Sequence, residues 1–233
     1  RDLLKALVKT GKPVVLLLFT GRPLVLTEEA VNIPSILNVW FGGSEAGDAI
    51  ADVLFGKVNP SGKLTTSFPR SVGQLPLYYN SHNTSRPDPD KNVFNRYTSN
   101  YLEDSNEPLY SFGYGLSYTH FQYDDMVLSS NVLKKGEKLT VSVIVTNKGN
   151  YDGCEVVQLY LHDIYADVVR PVKELKDFKR IFLKKGESRE VRFVITEEDL
   201  KFYNSNLQYI YETGDFEVMV GTNSRDVQSK TFL

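Results

Sequence analysis

The chain has 233 residues, 41% hydrophobic and 24% charged, which are values of a folded globular protein rather than a disordered one. Its 27 basic and 29 acidic residues leave a net charge of -2, so there is no electrostatic case for nucleic acid or a membrane surface as a partner. Cys154 is the only cysteine, which excludes an intrachain disulfide, and the longest apolar run, Val14 to Phe19, is too short to span a bilayer.

The sequence opens on Arg1 and Asp2, with no initiator Met and no signal-peptide pattern, so the natural N-terminus is expected upstream. Residues 2–10 read as a helix, with Leu3, Leu4, Leu7 and Val8 on one face and Gly11 at the C-terminal cap. Val14 to Phe19 is a continuous apolar run, the pattern of a strand buried on both faces of a parallel sheet. Ile36 to Phe41 has the same character, and Thr27 to Val31 between them fits a short helix. From Ser44 to Phe55, Ala46, Ala49, Ile50, Val53 and Leu54 follow amphipathic helical spacing, with Ser44 as N-cap and Gly56 just past the end. Residues 1–70 therefore follow α/β logic. Two or three strands are too few for a stable doubly wound sheet, so this segment is expected to need a partner, most simply an N-terminal portion of the same protein.

Residues 71–118 form an irregular connector arm rich in Pro, Asn, Ser and aromatics, expected to drape over a neighbouring surface. From Tyr123 onward the period becomes two. Leu139, Val141, Val143 and Val145 lead, followed by Val157, Leu159 and Leu161, then Val191, Phe193 and Ile195, and finally Phe216, Val218 and Val220. Lys135-Gly136, Lys148-Gly149-Asn150, Lys185-Gly186 and Thr213-Gly214 mark turns between the runs. About seven short strands in ~110 residues is the size class of an immunoglobulin or fibronectin type III sandwich. The expected fold class is thus α/β plus all-β: the C-terminal portion of an α/β sandwich domain over 1–70, the arm over 71–118, and a fibronectin type III-like β-sandwich over 119–233.

The most specific run is Ala51-Asp52-Val53-Leu54-Phe55-Gly56-Lys57-Val58-Asn59-Pro60-Ser61-Gly62-Lys63-Leu64, physically a helix end, a Gly stop and a tight turn into an extended segment. It closely resembles the second domain of family 3 glycoside hydrolases, the β-glucosidase-like enzymes. Gly21-Arg22-Pro23, Trp40-Phe41-Gly42-Gly43-Ser44-Glu45-Ala46-Gly47, Ser67-Phe68-Pro69-Arg70, Gln74-Leu75-Pro76-Leu77-Tyr78-Tyr79-Asn80 and Phe112-Gly113-Tyr114-Gly115-Leu116-Ser117-Tyr118 resemble the same family in the same order. Gly42-Gly43 departs from the Pro-Gly more usual there. The stretch from Tyr78 to Pro87 is most similar to the bacterial, Bacteroides-type branch.

The resemblance implies a retaining exo-hydrolase that cleaves terminal β-linked sugars with two carboxylates, one nucleophilic and one acid/base. In the family the nucleophile is an Asp of an N-terminal (β/α)8 barrel, and the acid/base Glu commonly sits in a Gly-Glu-Gly loop. Neither element occurs in this sequence, so neither role carries over to any residue here. The expected partners are an oligosaccharide or β-glucoside substrate, the upstream barrel with the rest of the α/β domain, and a second copy in a homodimer, with no nucleic acid and no membrane. The expected location is periplasmic or secreted. Alternatives are a β-xylosidase or other exo-glycosidase, or a non-catalytic structural or carbohydrate-binding module.

Other chemistry is weaker. Glu45 falls in the first turn of a helix, where a carboxylate simply stabilises the dipole. Glu28-Glu29 and Glu197-Glu198 are adjacent pairs that do not converge on one atom, and solvated surface charge is their expected role. His82, His120 and His162 lack the spacing of a metal site, and no cofactor is expected. Gly113-Tyr114-Gly115 is no nucleotide fingerprint, and its glycines fit a tight aromatic-lined bend. The basic stretch from Lys173 to Lys185 reads as a solvated strand face. Substrate contacts are best sought in the arm, at His82, Asn83 and Arg86, with Asn95 and Arg96 as further hydrogen-bonding groups and Phe94 or Tyr97 as stacking faces. The competing reading is that the arm only clamps the domains together.

Overall fold

The computed structural model describes residues 1–84, 86, 96–102 and 104–233. The first part alternates α1 (Asp2–Val8), β1 (Val15–Leu18), α2 (Thr27–Asn32), β2 (Ser35–Asn38) and α3 (Ala46–Leu54). β1 and β2 pair in parallel, Val15 opposite Ser35 through Leu18 opposite Asn38. The α/β alternation is as expected, but the strands are shorter and far more exposed. β1 is not buried on both faces: Val15 is 46% exposed, and neither α1 nor α3 buries a single residue. Among the described residues each of the two strands has one neighbour, so the apolar run is only half-buried. Ser44 does not cap α3; Glu45 is the N-cap residue, with no side-chain cap bond.

The second part is a β-sandwich. β5 (Leu139–Asn147) pairs along its length with β8 (Ser188–Ile195), and its other edge takes β3 (Phe121–Tyr123) and β4 (Val127–Leu128). The facing sheet has the order β12-β11-β6-β7, made of β6 (Gly153–Asp163), β7 (Glu174–Leu183), β11 (Phe216–Gly221) and β12 (Val227–Phe232). A separate hairpin joins β9 (Phe202–Tyr203) to β10 (Tyr209–Ile210). All pairings in the sandwich are antiparallel.

The period-two residues do what alternation demands. Val141, Val143, Val145, Val157, Leu159, Val191, Phe193, Val218 and their neighbours form one buried cluster between the sheets, every member of which lies between residues 126 and 232. The basic stretch lies in β7, an edge strand whose central residues are exposed. No helix among the described residues is long and apolar enough to cross a membrane.

Candidate functional site at the joint of the α/β segment, arm and sandwich

Two of the family-like motifs, the run through Asn59 to Leu64 and the Phe112 to Tyr118 run, meet at the joint between the two parts. Asn59, in the turn after α3, is its corner. Its side-chain oxygen accepts from Ser117 Oγ and from the Tyr118 N–H, both at 2.8 Å, and its amide donates to the Asp152 carbonyl at 2.9 Å. Tyr118 in turn donates its hydroxyl to the Val53 carbonyl at the end of α3, at 2.8 Å.

Lys63 and Glu155 form an ion pair at 3.1 Å with side chains only 12% and 5% exposed. Tyr123 donates its hydroxyl to the same carboxylate at 3.1 Å. Burial pushes the Glu155 carboxyl above the usual range, against the downward pull of Lys63. Burial and the neighbouring Glu155 charge also push the Tyr123 hydroxyl up.

The Phe-Gly-Tyr-Gly run packs on the outer face of β6. Gln158 donates to the carbonyls of Gly113 (3.2 Å) and Thr222 (2.7 Å), while the Tyr160 hydroxyl donates to its oxygen at 2.5 Å. Gly113 has φ +80, and a Cβ there would fall 2.1 Å from Gln158 Oε1. At Gly115 a Cβ would fall 2.2 Å from the Gly62 carbonyl. The bend is thus aromatic-lined, as expected, and its glycines are set by close approach. Tyr79 stacks on Phe112 with ring centres 4.1 Å apart and meets Tyr160 edge-on. Buried Gln74 anchors the arm, donating to the Ser105 carbonyl at 2.7 Å and accepting from the Arg70 N–H at 2.6 Å.

The expected substrate residues lie farther along the arm. His82, Asn83 and Arg86 are all exposed. His82 forms an isolated bridge with Pro171, supported by a 2.9 Å bond from the Val172 N–H to the Ser81 carbonyl. Arg86 offers its carbonyl to the Ser99 N–H at 2.8 Å. Arg96 lies 4.7 Å over the Tyr97 ring and bonds its hydroxyl, so one face of that ring is already covered. Phe94 and Asn95 lie outside the described residues.

The carboxylates sort as follows. Glu45 is exposed at the start of α3. Glu29 is not solvated surface charge: it is 6% exposed and pairs with Arg1 at 2.9 Å, because α2 folds its carboxylate under the first residue of the chain. Glu28 pairs with Lys5 at 2.7 Å. Burial raises the Asp163 carboxyl, against the pull of Arg170 and with the push of Glu212. Among the described residues no group of three or more His, Cys, Asp or Glu could hold a metal ion. No local pattern in the sequence announces the joint, because its partners lie 58 and 92 residues apart; the Gly-x-Gly bend is a signal that points to it.

A small parallel α/β layer is joined through an aromatic-rich segment to an antiparallel β-sandwich. Residues 1–118 match the glycosyl hydrolase family 3 C-terminal domain, and residues 155–224 match a fibronectin type III-like domain. The chain belongs to glycoside hydrolase family 3. It is 52% identical to a periplasmic beta-glucosidase of Salmonella typhimurium, over 100% of this chain and 30% of that protein. It is 46% identical to a beta-xylosidase of Formosa agariphila, over 99% of this chain and 31% of that protein. A beta-glucosidase from Listeria innocua in complex with isofagomine superposes with a TM-score of 0.94 at 45% identity, covering 99% of this chain and 32% of that one. The chain therefore spans about 30% of the length of the relatives it matches.

Proposed function

We propose that this chain is the C-terminal region of a retaining, exo-acting β-glucosidase-like hydrolase, and that both catalytic carboxylates belong to the remainder of that protein. The observation that carries the reading is the open side of the α/β segment. A groove of about 1080 Å³ on that segment is lined by Leu4, Leu7, Leu16, Leu24, Leu26 and Leu75, an apolar seat of the kind a further layer would cover. A glycosidase site sets two carboxylates across one bond. Glu29 and Glu155 are instead each held by a cation, and Asp163, the raised carboxyl with Glu212 near it, also has the charge of Arg170 close by.

In this reading residues 1–70 complete an α/β sandwich domain, 71–118 are the arm, and 119–233 are the sandwich that braces both. The upstream portion, including a (β/α)8 barrel, fills the groove. His82, Asn83 and Arg86 face the substrate, since all three are exposed and His82 is bridged to the sandwich at Pro171. The substrate is a terminal β-linked glucoside. The Salmonella relative supports both that sugar and a periplasmic location. A β-xyloside is the second reading, favoured by the Formosa relative.

The test is hydrolysis of aryl β-glucoside and aryl β-xyloside by the full-length protein, with the product anomer followed by NMR. Faster cleavage of the glucoside, with the β-anomer released first, is expected. His82→Ala should raise KM with little change in kcat. Initial release of the α-anomer, or activity on neither substrate, would contradict the reading.

A further inference from the structure

The hairpin β9–β10 belongs to neither sheet of the sandwich. Period two places Phe202 and Ile210 on its inner face and Tyr203 and Tyr209 on its outer face. Phe202 is 3% exposed, under the Arg170 guanidinium at 4.8 Å, so the inner face is docked. The outer face of such a hairpin normally carries polar residues. Here it carries two tyrosine rings, 64% and 53% exposed, with centroids 4.9 Å apart and planes at 42°. Leu207, 82% exposed, sits in the connecting turn at φ +60.

This presentation is fixed rather than floppy. Asn204 Oδ1 accepts from the N–H groups of Asn206 and Gln208, at 3.1 and 2.9 Å. Ser205 donates its N–H and hydroxyl to Asp167, at 2.9 and 2.7 Å, tying the turn to the loop after β6. That loop carries Tyr165, 79% exposed, and runs on to Pro171, the bridge partner of His82. The aromatic platform and the arm therefore share one continuous edge of the molecule. Lys201 lies 5.9 Å from the Tyr209 ring and is paired with Glu198 at 2.6 Å, and the Asp167 carboxylate is engaged by Ser205. The platform thus presents aromatic rings and hydroxyls, which suit a neutral ligand with C–H faces and hydroxyl rims, a pyranose chain.

We propose that Tyr203 and Tyr209 form a saccharide-binding platform on the sandwich, which holds the distal sugars of an oligosaccharide whose other end reaches the arm. The proposal rests on the reading of the protein as acting on oligosaccharides. The test does not depend on activity, because binding is read on this chain. Titration with laminarihexaose and with cellohexaose, followed by NMR of the tyrosine ring and hairpin amide resonances, should give saturable shifts centred on Tyr203 and Tyr209. The Tyr203→Thr/Tyr209→Thr variant keeps β propensity and should bind about ten-fold more weakly or not at all, with its sandwich core resonances unmoved. Tyr203→Phe/Tyr209→Phe, which keeps the stacking faces, should retain most of the affinity. Absence of shifts with both sugars, shifts centred elsewhere, or unchanged binding by the Thr variant would overturn the proposal. So would concentration-dependent shifts of the same residues without sugar, which would make the platform a contact between copies. Failure of any of these leaves the hydrolase reading standing.

Discussion

Lys63 and Glu155 meet at 3.1 Å across the joint, one from the extended segment after α3 and the other from β6, both nearly withdrawn from water. Each charge depends on the other, so breaking the pair costs more than its net worth. Because the folded state holds the Glu155 proton more tightly than the unfolded one, its contribution is fully present below the unfolded pKa and is lost as pH rises through the folded value. Lys63 limits that loss. Lys63→Met is therefore expected to cost about 3 kcal/mol at about pH 8 and distinctly less at about pH 4. Chemical denaturation at both pH values checks this. Adding Glu155→Leu should recover most of the loss.

Gly113→Ala meets two obstacles, a left-handed backbone and the Gln158 side chain. Gln158 is held by Tyr160 and two carbonyl contacts, so it yields poorly. The substitution should destabilise the chain by about 2 kcal/mol or more, read as a lower thermal midpoint.

Asn59→Ala removes two accepted bonds and one donated bond from a corner that joins the turn, the Ser117-Tyr118 segment and the loop before β6. A loss of about 1–3 kcal/mol is expected. Proteolysis should quicken within residues 60–118 while the sandwich stays protected.

The sandwich should fold without the rest. Its buried cluster is drawn entirely from residues 126–232, while the α/β segment leaves Phe41, Phe55 and Val31 more than 80% exposed. Residues 119–233 are expected to melt cooperatively and residues 1–70 to aggregate or stay unfolded. A soluble, sharply melting 1–70 fragment would contradict this.

The sandwich was legible in the sequence because Val141, Val143 and Val145 announce a half-buried strand without knowledge of its neighbours. The α/β elements were legible in kind but not in burial. Val14 to Phe19 reads as a fully covered strand, and only the tertiary structure shows that its cover is not supplied by this chain. Ser44 looked like a cap because capping is judged locally, yet the helix starts one turn position later. The ion pairs of Glu29 with Arg1 and Glu155 with Lys63 were invisible, since pairing across 28 and 92 residues leaves no periodic trace. His82, Asn83 and Arg86 stand out in the sequence by chemistry alone; the structure leaves all three exposed and bridges His82 to Pro171.

We propose that the catalytic carboxylates of the hydrolase lie outside this chain. Hydrolysis of an aryl β-glucoside by the 233-residue chain alone tests it most directly. No turnover above the uncatalysed background is expected. Hydrolysis that releases the β-anomer first, and is lost on changing a single carboxylate of this chain to its amide, would contradict it.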